Sequence, residues 1–215
     1  MDDVVIRLTR VIASDSRLAI LSYLAEHGEA TPTQLKKELR IPLNTLSTDL
    51  RILAAIGLIK GRRSGAQCYY SFASPYGEGT LSGDMSRWLR SLLSGSGTRK
   101  SNCELPEVRN RSSRRARPPL HATIFEAATA FTDLRRLQIL RYLEAHAEAT
   151  VEEFVRHLHM SPHAVSRQTS KLRRRGLVVA RKREAGRLAF SLAAEYKTPI
   201  HQRMHEIVRA TWRKK

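Results

Sequence analysis

Cysteine is nearly absent: Cys68 and Cys103 are the two in 215 residues. Two thiols cannot build the disulfide framework of a small secreted domain, and so low a count suits a reducing cytosol. No run approaches the ~20 apolar residues of a membrane span. The N-terminus, Met1-Asp2-Asp3, lacks the basic-then-apolar pattern of a signal peptide, so a cytoplasmic protein is expected. A glycine-rich phosphate loop, a nucleophile elbow and clustered carboxylates are all missing. Neither an enzyme nor a cofactor is therefore expected. Acidic residues are also scarce, at 20 against 38 lysines and arginines, giving a net charge of +18 and a pI near 10.8. The hydrophobic fraction is 41%, enough to build cores, which excludes a disordered polycation. A strongly basic chain with a core implies a polyanionic partner, usually nucleic acid. Ribosome association or an acidic protein partner would give the same charge.

What the chain does contain is one unit written twice. A shift of 119 residues aligns Arg17–Arg62 with Arg136–Arg181 without a gap, and 16 of the 46 positions are identical. The identities fall on apolar positions (Leu18/Leu137, Leu21/Leu140, Leu53/Leu172), on glycine (Gly57/Gly176) and on turn residues (Thr31/Thr150). Two copies of one fold would share those positions, and the period is far too long for a solenoid. The expected boundaries are 1–94 for the first domain, 95–119 for a flexible basic linker and 120–215 for the second domain. The linker is poor in apolar residues and aperiodic.

Each copy yields the same order of elements. A first helix is expected over Asp3–Ala13, and its counterpart over Leu120–Phe131. A second helix, starting at Ser14 or Asp15, sets Leu18, Leu21 and Leu24 on one stripe. Its counterpart takes Thr132 as N-cap. Thr31-Pro32 signals N-cap and first helical residue of a short helix ending at Leu39, and Ser161-Pro162 repeats the signal at the fourth helix of the second copy. The fourth helices end at Gly57 and Gly176, which suit left-handed C-caps. Leu58–Lys60 with Cys68–Phe72, and Leu177–Val179 with Leu188–Leu192, read as hairpins. Closing helices are expected over Gly83–Leu93 and Glu195–Trp212.

That order is the order of a winged helix-turn-helix. Ala13–Leu24 (ASDSRLAILSYL) resembles the second-helix signature of arsenic-repressor-type (ArsR-like) regulators. Asn44–Leu53 (NTLSTDLRIL), followed by Gly57-Leu58-Ile59, resembles their recognition helix and its exit, and Tyr69–Phe72 resembles their returning wing strand. The resemblance covers essentially all of the first copy and continues through the second. It implies a mostly α fold with small β-hairpins, DNA binding and repression. Relatives with one winged helix per chain pair as homodimers through their first and last helices. Here both partners lie in one chain, joined by about 26 residues with an r.m.s. span near 28 Å. An intramolecular pseudo-dimer, monomeric in chain count, is therefore expected, although a homodimer stays open.

On the fourth helix of copy one, Leu46, Leu50, Leu53 and Gly57 form the stripe expected to be buried, leaving Asn44, Ser47, Thr48 and Arg51 facing outward. Asn and Arg can each make bidentate base contacts, and short polar side chains let a helix approach base edges. In copy two, Val165, Thr169 and Leu172 take the core positions. His163, Ser166, Arg167, Ser170 and Arg174 face out, with Lys171 and Arg173 beside them for phosphates. Arg62 and Arg63 in the first wing, and Arg181, Lys182, Arg183 and Arg187 in the second, put cations near the hairpin turns. The linker arginines Arg109, Arg111, Arg114, Arg115 and Arg117 read equally as a DNA arm or a solvated stretch.

Sensor sites are poorly supported. Metal-sensing relatives place Cys-x-Cys in or near the helix before the recognition helix, and neither Gln34–Arg40 nor Glu153–His159 contains a cysteine. His201 and His205 have the i, i+4 spacing that can grip a metal, but a surface histidine pair is expected, with no metal. Cys68 and Cys103 read as one packed and one incidental thiol. The sequence thus points to a sequence-specific regulator of double-stranded DNA, with no membrane partner. A tandem winged-helix scaffold for protein interactions, or a non-specific nucleoid or plasmid-maintenance protein, remain as alternatives.

Overall fold

A computed structural model of the chain describes residues 1–95, 119–183 and 187–213. These form two compact units, one joining Met1–Arg10 to Glu126–Lys215 and the other running Val11–Phe125. They are called here the C-unit and the N-unit. Over the described residues the protein is mostly helical, with two small antiparallel sheets.

The N-unit contains α2 (Asp15–His27), α3 (Pro32–Leu39), α4 (Leu43–Ala55) and α5 (Leu81–Leu93). α1 (Asp2–Ile12) precedes it, with its first turns grouped into the C-unit. The sheet orders β1 (Glu29–Ala30), β3 (Gln67–Ser71) and β2 (Lys60–Ser64), with β3 central. The C-unit repeats the plan with α7 (Leu134–Ala145), α8 (Val151–Leu158), α9 (Pro162–Arg174) and α10 (Pro199–Trp212), after the last turn of α6 (Pro119–Thr129), whose earlier residues group with the N-unit. Its strands, β4 (Glu148–Thr150), β5 (Val178–Lys182) and β6 (Leu188–Leu192), lie in the order β4-β6-β5. The cores are those the periodicity expects. Leu18, Leu21, Leu24, Leu46, Leu50 and Leu53 are buried in one unit, as are Leu137, Leu140, Leu143, Val165, Thr169 and Leu172 in the other. Each such leucine contributes about 1.5–3 kcal/mol by leaving water.

Local chemistry sets the ends of the elements. Thr31 closes a capping box with Gln34, accepting from its backbone N–H at 3.3 Å while its own N–H donates to Gln34 Oε1 at 2.8 Å. Thr150 and Glu153 repeat the box in front of α8. Both recognition-type helices end in the same double hydrogen bond. Leu58 N–H returns to Leu53 and Gly57 N–H to Ala54, while Leu177 returns to Leu172 and Gly176 to Arg173. That loop needs a left-handed residue, and Gly57 (φ 77°) and Gly176 (φ 67°) supply it.

Several expectations shift. Asp133, not Thr132, caps α7: its carboxylate accepts from Arg135 N–H at 3.0 Å, while the Thr132 hydroxyl is engaged with the Thr129 carbonyl one turn back. The hairpins extend further toward their tips than Leu58–Lys60 and Leu177–Val179 imply. The closing helices start at Leu81 and Pro199, where Thr80 and Thr198 cap them. The two-residue β1 and three-residue β4 are too short to show an alternating pattern, yet each adds a third strand.

Candidate nucleic-acid interface

In the N-unit α3 runs into α4 through Arg40, held left-handed at φ 53°; in the C-unit α8 runs into α9 through His159 at φ 51°. These residues are 119 apart, so both tight turns of the helix pairs use the same backbone device. α4 turns Asn44, Ser47, Thr48 and Arg51 to solvent while burying Leu46, Leu50 and Leu53. α9 turns out His163, Ser166, Arg167, Ser170, Arg173 and Arg174, with Lys171 half-buried at its flank. Both faces are therefore the ones the periodicity expects.

The buried side of each helix holds a polar residue that the sequence reading missed. Asp49 of α4, 4% exposed, accepts from Arg17 of α2 at 3.0 Å and from the Ser16 hydroxyl at 2.6 Å. Its counterpart on α9 is Gln168, 1% exposed, which accepts from Arg136 of α7 at 3.1 Å. Arg136 also donates to the backbone carbonyls of Thr129 and Ala130, at the end of α6, and to the Thr132 hydroxyl. Burial pulls the Arg136 guanidinium below its ordinary value. A buried carboxylate–guanidinium pair thus anchors one helix, and a buried amide–guanidinium pair anchors the other. Each of these polar residues sits where an aliphatic side chain would satisfy the stripe, so only its arginine partner marks it.

A groove separates each helix from its wing. In the N-unit it is lined by Ser47, Leu50, Arg51, Ala54, Ala55 and Tyr70. In the C-unit Ser170, Arg173, Arg174, Val178, Val179 and Ala180 line it. In the wings, Arg63, Arg181, Lys182 and Arg187 are exposed. Arg62 is exposed but occupied: its Nε and Nη2 donate to Glu29 at 3.0 and 2.5 Å, and its guanidinium lies 4.7 Å from the centre of the Tyr69 ring. Arg183 makes an ion pair with Glu148. Arg109, Arg111, Arg114, Arg115, Arg117 and Cys103 lie outside the described residues. Cys68 is half-buried on β3.

His201 and His205 are not a surface pair. Each is 1% exposed, because α10 turns that face inward beside Met204, Ile207 and Val208. Thr198 and Tyr196 meet their Nδ1 atoms at 2.9 and 2.8 Å. Burial lowers both pKa values, that of His205 to about 4. Among the described residues no three His, Cys, Asp or Glu side chains are placed to hold a metal ion, and no helix is long and apolar enough to cross a membrane.

Two helix-turn-helix pairs, each followed by a hairpin that a short strand from before the pair extends to three, define a tandem winged helix-turn-helix protein. Comparison with known proteins agrees: residues 12–62 match a helix-turn-helix domain family, and residues 132–187 match the MarR family. An uncharacterized HTH-type transcriptional regulator of Methanocaldococcus jannaschii is 34% identical over 61 residues, covering 28% of this chain and 68% of that protein. No solved structure matches. The chain belongs to the helix-turn-helix-type transcriptional regulators and is a DNA-binding transcription regulator.

Proposed function

We propose that this regulator is a cytoplasmic repressor that reads two non-identical half-sites, acting as a single-chain pseudo-dimer of the arsenic-repressor type. The observation that carries the reading is the inequality of the two outward faces. α4 offers Asn44, Ser47, Thr48 and Arg51, with one cation; α9 offers His163, Ser166, Arg167 and Ser170 among four cations, Arg167, Lys171, Arg173 and Arg174. A homodimer presents one face twice and reads a palindrome; this chain presents two. The domains are taken as 1–94 and 120–215, with 95–119 as the connection. In the bound state the helix centres lie about one DNA turn apart, ~34 Å. Exposed wing cations Arg63, Arg181, Lys182 and Arg187 take phosphates, while Arg62 and Arg183 start from ion pairs with Glu29 and Glu148. Occupying a promoter then blocks transcription.

Selection of bound duplexes from a random pool, followed by footprinting, tests this. An asymmetric site bound in one orientation is expected. A perfectly palindromic site, with equal loss on changing either half, would overturn the reading. Equal competition by scrambled duplex would instead favour a non-specific nucleoid protein. Sedimentation of the free chain should give 24.4 kDa, and twice that mass would overturn the single-chain pseudo-dimer.

A further inference from the structure

Each wing carries a carboxylate bound to an arginine that would otherwise meet DNA. Glu29 of β1 and Glu148 of β4 sit at the same register, opposite Ser71 and Ser191 of the central strands. Arg62 of β2 pairs with Tyr69, one same-face step from Ser71, so the Glu29–Arg62 bridge spans the central strand. By register the C-unit residue equivalent to Arg62 is Arg181, opposite Ala189. Glu148 nevertheless binds Arg183, two residues nearer the hairpin turn and on the same side of the strand. The two wings therefore reach one arrangement with different arginines.

Stability does not account for it. The side chains are 42–53% exposed, and ion pairs that open to solvent contribute little to folding. Their consequence is electrostatic. A wing arginine paired with a carboxylate presents little net charge to a phosphate. To contact DNA it must exchange the carboxylate for the phosphate or hold both anions side by side.

We infer that Glu29 and Glu148 are specificity-determining residues that suppress wing contact with arbitrary duplex DNA. This rests on the DNA-binding reading above. On a random duplex nothing fixes the phosphate beside the arginine, and the carboxylate repels the backbone. On the cognate duplex the seated recognition helix holds the phosphate in place, and the arginine changes partner. The two glutamates supply the repulsive half of discrimination, as specific binders often require.

The test uses the full chain with Glu29→Gln, Glu148→Gln and the double variant. Affinities are measured on the selected duplex and on a random duplex of equal length, across a salt series. Each substitution should raise random-duplex affinity about three- to five-fold at 0.1 M salt. Each should also steepen the salt slope of that binding by about 0.9, the increment of one added phosphate contact. Cognate affinity should change less, so the ratio of specific to random binding falls. Glu29→Asp keeps the negative charge beside Arg62 and the phosphate path, so random-duplex affinity should rise clearly less than with Glu29→Gln. Thermal melting of each variant checks that the wing stays folded. Unchanged random-duplex affinity and slope in the Gln variants would overturn the inference while leaving DNA binding intact. An increase with Glu29→Asp as large as with Glu29→Gln would overturn it too, by tracing the effect to structure rather than charge. A wild-type chain that binds neither duplex would overturn the DNA reading itself.

Discussion

The two recognition-type helices share a backbone plan and differ in what they are made of. α9 carries Arg167, Lys171, Arg173 and Arg174 and no acidic residue, whereas α4 carries Arg51 and the buried Asp49. Their grooves follow suit: Arg173 and Arg174 line one, Tyr70 and alanines much of the other. The anchors beneath them invert the pattern, with a carboxylate meeting Arg17 under α4 and a neutral amide meeting Arg136 under α9. A duplicated fold can thus keep its hydrogen-bond geometry while its two surfaces diverge in charge. The hidden side keeps a guanidinium anchor in both copies, and the exposed side carries the difference.

The largest expected effect breaks the anchor comparison. Arg136→Ala removes a buried guanidinium bonded to Gln168, to the Thr132 hydroxyl and to the carbonyls of Thr129 and Ala130. The Ala130 carbonyl and Gln168 Oε1 are then left buried without that donor, while the Thr129 carbonyl keeps the Thr132 hydroxyl, so two unmet acceptors set an expected loss of about 3–5 kcal/mol. Arg17→Ala should cost less, since the Arg17 side chain is 18% exposed and Asp49 keeps the Ser16 hydroxyl. Urea denaturation of both variants measures this. Equal losses would mean that carboxylate and amide anchors are energetically interchangeable.

Acid should strike the C-unit harder. Burial holds His205 neutral down to about 4, with Tyr196 on Nδ1 and Glu144, Glu206 and Arg209 nearby. Above pH 6.5 the ring is neutral in both folded and unfolded chains. Below that the unfolded chain takes up a proton that the folded chain refuses. Stability is therefore full above about 6.5 and falls as pH drops toward 4, by about 3 kcal/mol from this group. His201, whose pKa is lowered by burial as well, adds in the same direction. His205→Phe should flatten that limb of the stability–pH curve. A limb that keeps its full slope would locate the acid sensitivity elsewhere.

On DNA, Arg167→Ala should weaken binding by about 1–3 kcal/mol if its contact is a bidentate one to a base. The loss should be confined to the half-site under α9. Arg51→Ala should act on the other half-site alone. Footprints on single-half-site variants measure both, and a loss spread uniformly over all sequences would reassign either residue to phosphate.

Much of this was legible in the sequence because a repeat states each rule twice. Gly57 with Gly176 announced the helix ends, and the leucine stripes fixed which faces point outward. What was hidden is whatever depends on a partner distant in the chain. Asp49 and Gln168 look like solvated residues until Arg17 and Arg136 are placed under them. Glu29 and Glu148 are aligned by the repeat, but their bridges to Arg62 and to Arg183 follow from strand register, which no periodicity records. His201 and His205 were misread for a related reason. Two histidines on one face mark that face as polar by composition, and only the packing of α10 turns it inward.

The smallest effect concerns how the two helices begin. Ser161 caps α9, accepting from Ala164 N–H at 3.2 Å, and Pro162 follows at the first helical position. The capping position of α4 is Pro42, whose side chain gives no hydrogen bond. Ser161→Ala should therefore cost about 1 kcal/mol, the usual worth of such a cap. The reverse change, Pro42→Ser, offers α4 a cap of similar worth. It also frees a backbone that proline holds at φ −56°, and that freedom costs about 0.4–1 kcal/mol through the unfolded chain. The two terms nearly cancel, so Pro42→Ser should shift the urea midpoint little while Ser161→Ala lowers it. If Pro42→Ser stabilises by a full 1 kcal/mol, the proline contributes nothing through rigidity. The two helix starts would then differ only in the missing hydrogen bond.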